Sequence, residues 1–301
     1  MRQYLDLLRN VLDRGKRHEN RTGISTLRIT GATLSFDMDD RFPAMTTKHL
    51  VFRQVVGELL GFILGYENAG AFRNLGCTIW DANANKNADW LRNPYRRGDD
   101  DLGRIYGAQW RNYRGVNRYF QYCSTDQLRM AVREILTNPT CRRIIVNAWN
   151  PNEIDQMALS PCHVLHQYHV DPDTGGLSMT MYQRSCDLFL GVPFNITFYA
   201  LLLHLVAGVT GLRADNSTMF LADAHIYENH LEQVNIQLNR EPFCLPVLDL
   251  AEASFAAIVD SDGNSIDKVT QAMLQLGRLI PDDINLAFYN YHPAIKAPMA
   301  V

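Results

Sequence analysis

One thiol in the chain has neighbours suited to chemistry. Cys162 follows Pro161 in SPCHVLHQYHV and opens a strand-like run, where a side chain can face a cavity. Such a residue is either a small buried hydrophobe or a nucleophile. A nucleophilic thiol needs its pKa lowered by positive charge, and Arg142, Arg143, His163 and Arg184 are groups of the right kind. The arginine pair begins the apolar run RRIIVNAW, as a solvated strand end or as a phosphate clamp, for which guanidinium geometry is suited. Arg184, Ser185 and Asp187 interrupt the otherwise apolar YQRSCDLFLG, a costly mixture unless the groups pair or bind something. Glu58 lies within VVGELLGFIL, either as partner to a buried base or as a proton-transfer group with a raised pKa. His163, His166 and His169 could suggest a metal, but strand alternation turns His166 away from the other two. No Cys or carboxylate completes a set at a usual spacing, so no metal is expected. His225 and His230 lack the H-E-x-x-H arrangement, and neither a G-x-G-x-x-G nor a phosphate-binding P-loop occurs, which argues against nucleotide-cofactor oxidoreductases and kinases.

The elements that would position these groups can be read from periodicity. Tyr4, Leu5, Leu8, Val11 and Leu12 recur at helical spacing, so residues 1–18 predict a surface helix with one buried face. Residues 26–38 alternate as a strand whose phase slips at Gly31, which predicts a bulge. Thr46 and Thr47 are candidate caps for a helix through FRQVVGELLGFIL. Residues 82–104, rich in Asn, Asp, Gly and Arg, read as a surface insertion. Then follow a helix (TDQLRMAVREIL), the strand RRIIVNAW, and the strands CHVLHQYHV and LSMTMYQRS joined by a turn. An apolar helix is expected from about Pro193 to Val209. Strands STMFLADAHIY and FCLPVLDL flank the helix HLEQVNIQLNR, and SIDKVTQAMLQLGRLI is the last helix. The elements do not alternate strictly as strand and helix, which predicts a single α+β domain over 1–301 with a mixed sheet.

Composition narrows the partners. A net charge of −3 carries no bulk basic character, so DNA binding is not expected and any anion site must be local. The six cysteines include no C-x-x-C pair, which in a chain this long predicts reduced thiols and a cytoplasmic protein. The N-terminus MRQYLDLLRN is amphipathic and charged, unlike a signal peptide. The apolar stretch Phe194–Gly211 is about one turn too short to span a bilayer, and no membrane partner is expected.

Singly, none of these features decides. In order along the chain they are RTG at Arg21–Gly23, FPAMTTK ending at Lys48, GELL around Glu58, TIWDAN around Trp80 and DLGRIYGAQWR around Tyr106. RRIIVNAWN, ALSPCH, QRSCDLFLGVPFN, DAHIYENH and the C-terminal YHPAIKAPMAV complete the series. This series resembles the thymidylate synthase family over essentially the whole length. The resemblance implies a methyltransferase that converts dUMP to dTMP with 5,10-methylenetetrahydrofolate as cosubstrate, on a mixed sheet covered by helices that dimerises through the sheet. It further implies that Cys162 attacks carbon 6 of dUMP, with Glu58, Tyr106 and Asn195 as the other catalytic groups. The phosphate would be held by Arg21, Arg184 and Ser185, with Arg142 and Arg143 supplied in trans by a second subunit. That many guanidiniums is also a reason for the thiol to ionise. Asn195 would read the uracil edge, and His225 and Tyr227 the ribose. Asp187 would face both nucleotide and folate, and Lys48, Trp80, Gly191, Ala300 and Val301 would hold the folate.

Three positions depart from the family pattern. Gly61 stands where Trp is usual, Arg104 where Pro is usual, and His49 where Arg is usual. All three fall near regions the family uses for folate or for the active-site wall, and Phe62 or Tyr66 is expected to fill the gap at Gly61. A relative on the same fold, a dUMP hydroxymethylase that lets water capture the methylene group, is the alternative.

Overall fold

A computed structural model describes residues 1–39, 41–260 and 264–299 of the 301. The helices are α1 (Arg2–Arg14), α2 (Phe52–Ile63), α3 (Ala69–Asn74), α4 (Asp81–Asn85), α5 (Ala88–Leu91), α6 (Tyr106–Arg111), α7 (Gln127–Thr137), α8 (Gly191–Thr210), α9 (Leu231–Leu238) and α10 (Lys268–Arg278). The strands are β1 (Lys16–His18), β2 (Thr26–Asp37), β3 (Tyr113–Val116), β4 (Tyr122–Thr125), β5 (Ile145–Asn147), β6 (His163–Asp171), β7 (Gly176–Gln183), β8 (Cys186–Asp187), β9 (Arg213–Tyr227), β10 (Val247–Leu250) and β11 (Ile284–Ala287).

Seven strands form one mixed sheet in the order β1-β2-β9-β7-β6-β5, with β8 also paired to β9. The β7–β9 and β8–β9 pairs are parallel and the others antiparallel. Side-chain alternation gives the sheet two unlike faces. The cross-strand row Val146–His166–Met181–Met219–Leu34 is buried, and α8 packs against β7 and β9. The next row, Leu165–Tyr182–Phe220–Thr33, lies on the other face, where Tyr182 is 42% and Phe220 46% exposed. Fold class and core thus agree with the period-two reading of these strands.

Several local expectations are corrected. The pairing of β2 with β9 keeps one register on both sides of Gly31, whose φ is 75°. The irregularity is therefore a left-handed kink without an inserted residue. A true register shift occurs between His163 and Leu165, and it reverses the phase of β6. His163 and His166 consequently share the buried face, both touching the Tyr199 ring at 5.2 and 5.7 Å, while His169 is exposed. Thr46 and Thr47 do not cap α2, whose N-cap is Val51. Both are buried, and Thr47 Oγ1 accepts a 2.9 Å bond from Gln237. α8 is 20 residues long, so its length would suffice to cross a bilayer. What distinguishes it is burial: 78% of its apolar window is enclosed by the rest of the fold.

The segment 82–104 carries most of α4 and all of α5, and is tied down by Trp90, which is 2% exposed and donates to Asp101 O at 2.6 Å. Arg104 turns inward, with Nη1 2.9 Å from Glu67 and Nε 3.3 Å from Glu153. Gln109 donates to the same Glu153 carboxylate at 2.8 Å.

Candidate active site

Cys162 lies one residue before β6, in a loop clasped by Arg184 just after β7. The Arg184 backbone N–H donates to Cys162 O (2.9 Å), while its Nε and Nη2 donate to Pro161 O (2.8 Å) and Ser160 O (3.0 Å). On the other side, the Cys162 N–H donates to the hydroxyl of Tyr106, the first residue of α6, at 2.7 Å. Burial pushes the Cys162 thiol up, while the charges of Arg184 and Arg21 pull it down. The net direction is upward. The expected ionisation therefore does not follow from this chain's own arginines, because desolvation outweighs two guanidiniums.

The wall beside the thiol is aromatic. Phe62 stacks on Tyr106 at 4.8 Å and meets Trp80 at 5.9 Å. Trp80 donates its indole N–H to Glu58 at 3.0 Å. Burial raises the Glu58 carboxyl to about 7, with the Trp80 bond opposing, so at neutral pH this group can either hold or release a proton. Beyond it, burial lowers His163 to about 4, with an Asn195 hydrogen bond opposing. Asn195, in the second turn of α8, accepts from Gln183 Nε2 at 3.0 Å, and the same amide donates to Ser185 O at 3.0 Å. With Oδ1 engaged by Gln183, the Asn195 NH₂ is left to donate.

A third side is built on β8 and β9. Asp187 pairs in register with His225. Its Oδ1 accepts from the N–H groups of Phe189 (2.9 Å) and Leu190 (3.1 Å), leading into α8 at Gly191. His225 Nδ1 meets Asp223 O at 3.1 Å, and Tyr227 lies edge-on to the imidazole at 5.2 Å. Lys48 is buried, donates to Phe189 O and lies 3.6 Å over that ring. Burial lowers it to about 7, with Asp187 opposing.

Arg21 is exposed on a turn and, among the described residues, makes no hydrogen bond or ion pair, although its charge acts on Cys162 and Tyr227. Arg142 and Arg143 are exposed just before β5. The β5–β6 register, continued by the Tyr168 N–H to Ile144 O bond, sets Arg143 level with His169. That is seven residues along the strand from Cys162, or roughly 20 Å at 3.3 Å per residue. The arginine pair is thus not brought to its own chain's thiol. Ala300 and Val301 lie outside the described residues. Among the described residues, no three His, Cys, Asp or Glu side chains converge as a metal set.

The sequence profile of the thymidylate synthase family matches residues 2–301. The chain belongs to the thymidylate synthase family. Relatives named thymidylate synthase include those of Pseudomonas putida (41% identical) and of Pseudomonas syringae and Bordetella parapertussis (40% each). Each alignment spans all of this chain and all of the relative.

Within this family frame, the structure accounts for the departures. The space at Gly61 is filled by Phe72, not by Phe62 or Tyr66: a Cβ there would come 2.2 Å from Phe72 Cε1. Arg104 is held by the Glu67 and Glu153 carboxylates, and His49 stacks on Tyr291 at 4.2 Å. Two site residues escaped the sequence reading. Gln183 was legible as the one polar side chain in the buried phase Leu177–Met179–Met181–Gln183 of β7. Asp223, the partner of His225, carried no local signal.

Proposed function

We propose that this chain converts dUMP to dTMP as a homodimer, with 5,10-methylenetetrahydrofolate as the donor. The observation that carries the reading is the convergence on Cys162 of Tyr106, Arg184 and Arg21 beside a carboxyl group poised near neutrality. Cys162 Sγ bonds to carbon 6 of the uracil, which makes carbon 5 nucleophilic. Reduced folate supplies one carbon and then a hydride, leaving as dihydrofolate. The carbon-5 proton is lost to a base, and elimination of Cys162 restores the ring and the free thiol. Covalent attachment divides one inaccessible substitution into feasible steps. Tyr106, whose oxygen accepts from the Cys162 N–H, keeps its own proton for the substrate side. Glu58 carries protons through ordered water, and Asn195 donates to the uracil edge, while the ribose hydroxyl is assigned to His225 and Tyr227.

The donor set suits a reduced folate. Asp187 Oδ2 makes no hydrogen bond among the described residues, so it can accept from pterin N–H groups. Trp80 supplies an aromatic edge and Lys48 a cation for the anionic tail, with Gly191, Ala300 and Val301 completing that side. For the phosphate, Arg21, Arg184 and Ser185 come from one chain. Arg142 and Arg143 come from the partner, since their distance from their own thiol exceeds the reach of an arginine side chain. The half-exposed Tyr182–Phe220 row fits as the dimer face. Six free thiols suit a cytoplasmic enzyme.

The test is tritium release from 5-tritiated dUMP, with chromatography of the products. Equal amounts of dTMP and dihydrofolate are expected. Mainly 5-hydroxymethyl-dUMP with tetrahydrofolate would replace the reading by the hydroxymethylase, which the names of the relatives do not favour.

A further inference from the structure

Gly61 and Phe72 form a matched pair on the far side of the aromatic wall. Gly61 is buried on α2, and a Cβ built there would lie 2.2, 2.5 and 2.9 Å from three atoms of the Phe72 ring. Phe72, fully buried on α3, therefore occupies the space that any side chain at 61 would need. Its ring meets Phe62 edge-on at 5.8 Å and lies 6.2 Å from Trp80 with a 36° tilt. Trp80 in turn donates to Glu58, which stands one turn before Gly61 on the same helix. α2 thus supplies both the carboxyl group and the gap, α3 fills the gap, and Trp80 is held between them.

We propose that Phe72, seated against Gly61, is a positioning residue that fixes Trp80 on Glu58 and so seals this carboxyl group and the adjoining reaction space from water. The product readout below rests on the methylase reading given above; the readout on Glu58 does not. Close-packed aromatic rings lose contact outright when a gap opens. With a smaller residue at 72, Trp80 gains freedom and water reaches Glu58, whose raised pKa rests on burial. In turnover, water then competes with hydride for the exocyclic methylene. The water oxygen bonds to that carbon as its double bond opens into the ring, and the water's proton goes to solvent. The Cys162–carbon 6 bond breaks to return the thiolate, and tetrahydrofolate leaves unoxidised with 5-hydroxymethyl-dUMP as product.

The experiment compares wild type, Phe72→Leu and the reciprocal pair Phe72→Leu/Gly61→Trp, which returns the aromatic group from the opposite side. The first readout is the infrared carboxyl band of Glu58 followed against pH in folate-free protein, assigned with Glu58→Gln. The second is the ratio of hydroxymethyl to methyl product. Phe72→Leu should lower the Glu58 midpoint by roughly one unit or more and raise the product ratio about tenfold or more, and the double variant should reverse both. An unchanged midpoint and ratio in folded Phe72→Leu would overturn the inference, as would a double variant that behaves like the single one. If Phe72→Leu does not fold, Phe72→Met, a smaller and more flexible side chain without the ring, takes its place with the same expectations. If wild type makes no dTMP, the functional reading fails while the infrared arm still decides the role of Phe72.

Discussion

Two regions of this chain use arginine in opposite ways. Between Glu67 and Asp126, Arg73, Arg97, Arg104 and Arg111 each grip one or more carboxylates at 2.5–3.3 Å. Elsewhere, the guanidinium groups of Arg21, Arg142 and Arg143 have no hydrogen-bond or ion-pair partner among the described residues, and Arg184 spends Nε and Nη2 on backbone carbonyls, keeping Nη1. A guanidinium bonded to carboxylates is already neutralised and has its fork occupied. One left without a partner keeps five donors for a phosphate. Local sequence does not separate the two sets, because carboxylates such as Glu67, Glu153 and Asp126 reach their arginines from 15 to 49 residues away. Only the tertiary partners do.

The comparison can be broken at both ends. The largest effect is expected at the thiol itself: Cys162→Ser should lower kcat on the order of 10⁴-fold with dUMP binding still detectable, read by steady-state kinetics and calorimetry. Next comes the paired region. Arg104→Ala leaves Glu153, only 5% exposed, without its buried partner. The loss should be about 3–5 kcal/mol of stability, measured by urea denaturation, with an unchanged KM for dUMP in the folded fraction.

A third effect depends on pH. The Glu58 carboxyl is raised to about 7 from an ordinary 4.5, so the folded state favours its protonated form. Its stabilising contribution is complete below about pH 4.5 and is lost as pH rises to 7. Glu58→Gln does not titrate, so its stability relative to wild type should improve by about 3 kcal/mol between pH 4.5 and 7.5. Lys48, lowered to about 7, acts in the opposite sense and in a higher window: its contribution is lost as pH falls from 10.5 towards 7. The buried His163, lowered to about 4, also titrates in the Glu58 window, so it is the difference between wild type and Glu58→Gln at pH 4.5, 6 and 7.5 that isolates Glu58. The smallest effect is Arg143→Ala, which should raise KM for dUMP about 10- to 100-fold, as for one charge-assisted hydrogen bond, with little change in melting temperature. Mixing Arg143→Ala chains with Cys162→Ala chains should restore activity at dUMP concentrations near the wild-type KM, where each variant alone is slow, since one site of the hybrid dimer then carries neither defect. No recovery with confirmed exchange would place the arginines in their own chain's site.

Much of this arrangement was legible in the sequence where the signal is local. The alternation of β6, β7 and β9 and the apolar run of α8 follow directly from side-chain periodicity, and Glu58 and Arg184 stand out as chemically costly residues in apolar stretches, while Cys162 gained its role only from the series of motifs around it. What was not legible depends on contacts between distant segments. A single bulge between His163 and Leu165 moved His166 to the face of His163. The filler of the gap at Gly61 came from α3, eleven residues away, and not from a neighbour in the same turn. The direction of the Cys162 shift depended on burial, which no motif encodes.

The central claim is that Cys162 forms a bond to carbon 6 of the pyrimidine while carbon 5 takes up the folate carbon. Incubation with 5-fluoro-dUMP and 5,10-methylenetetrahydrofolate tests it most directly, because fluorine cannot leave carbon 5 as a cation and the complex should stall. Mass spectrometry of the intact protein and of its peptides should show a ternary adduct on the peptide that contains Cys162, absent from Cys162→Ala. An unmodified wild-type protein under saturating ligands, or an adduct on any other residue, would contradict the account.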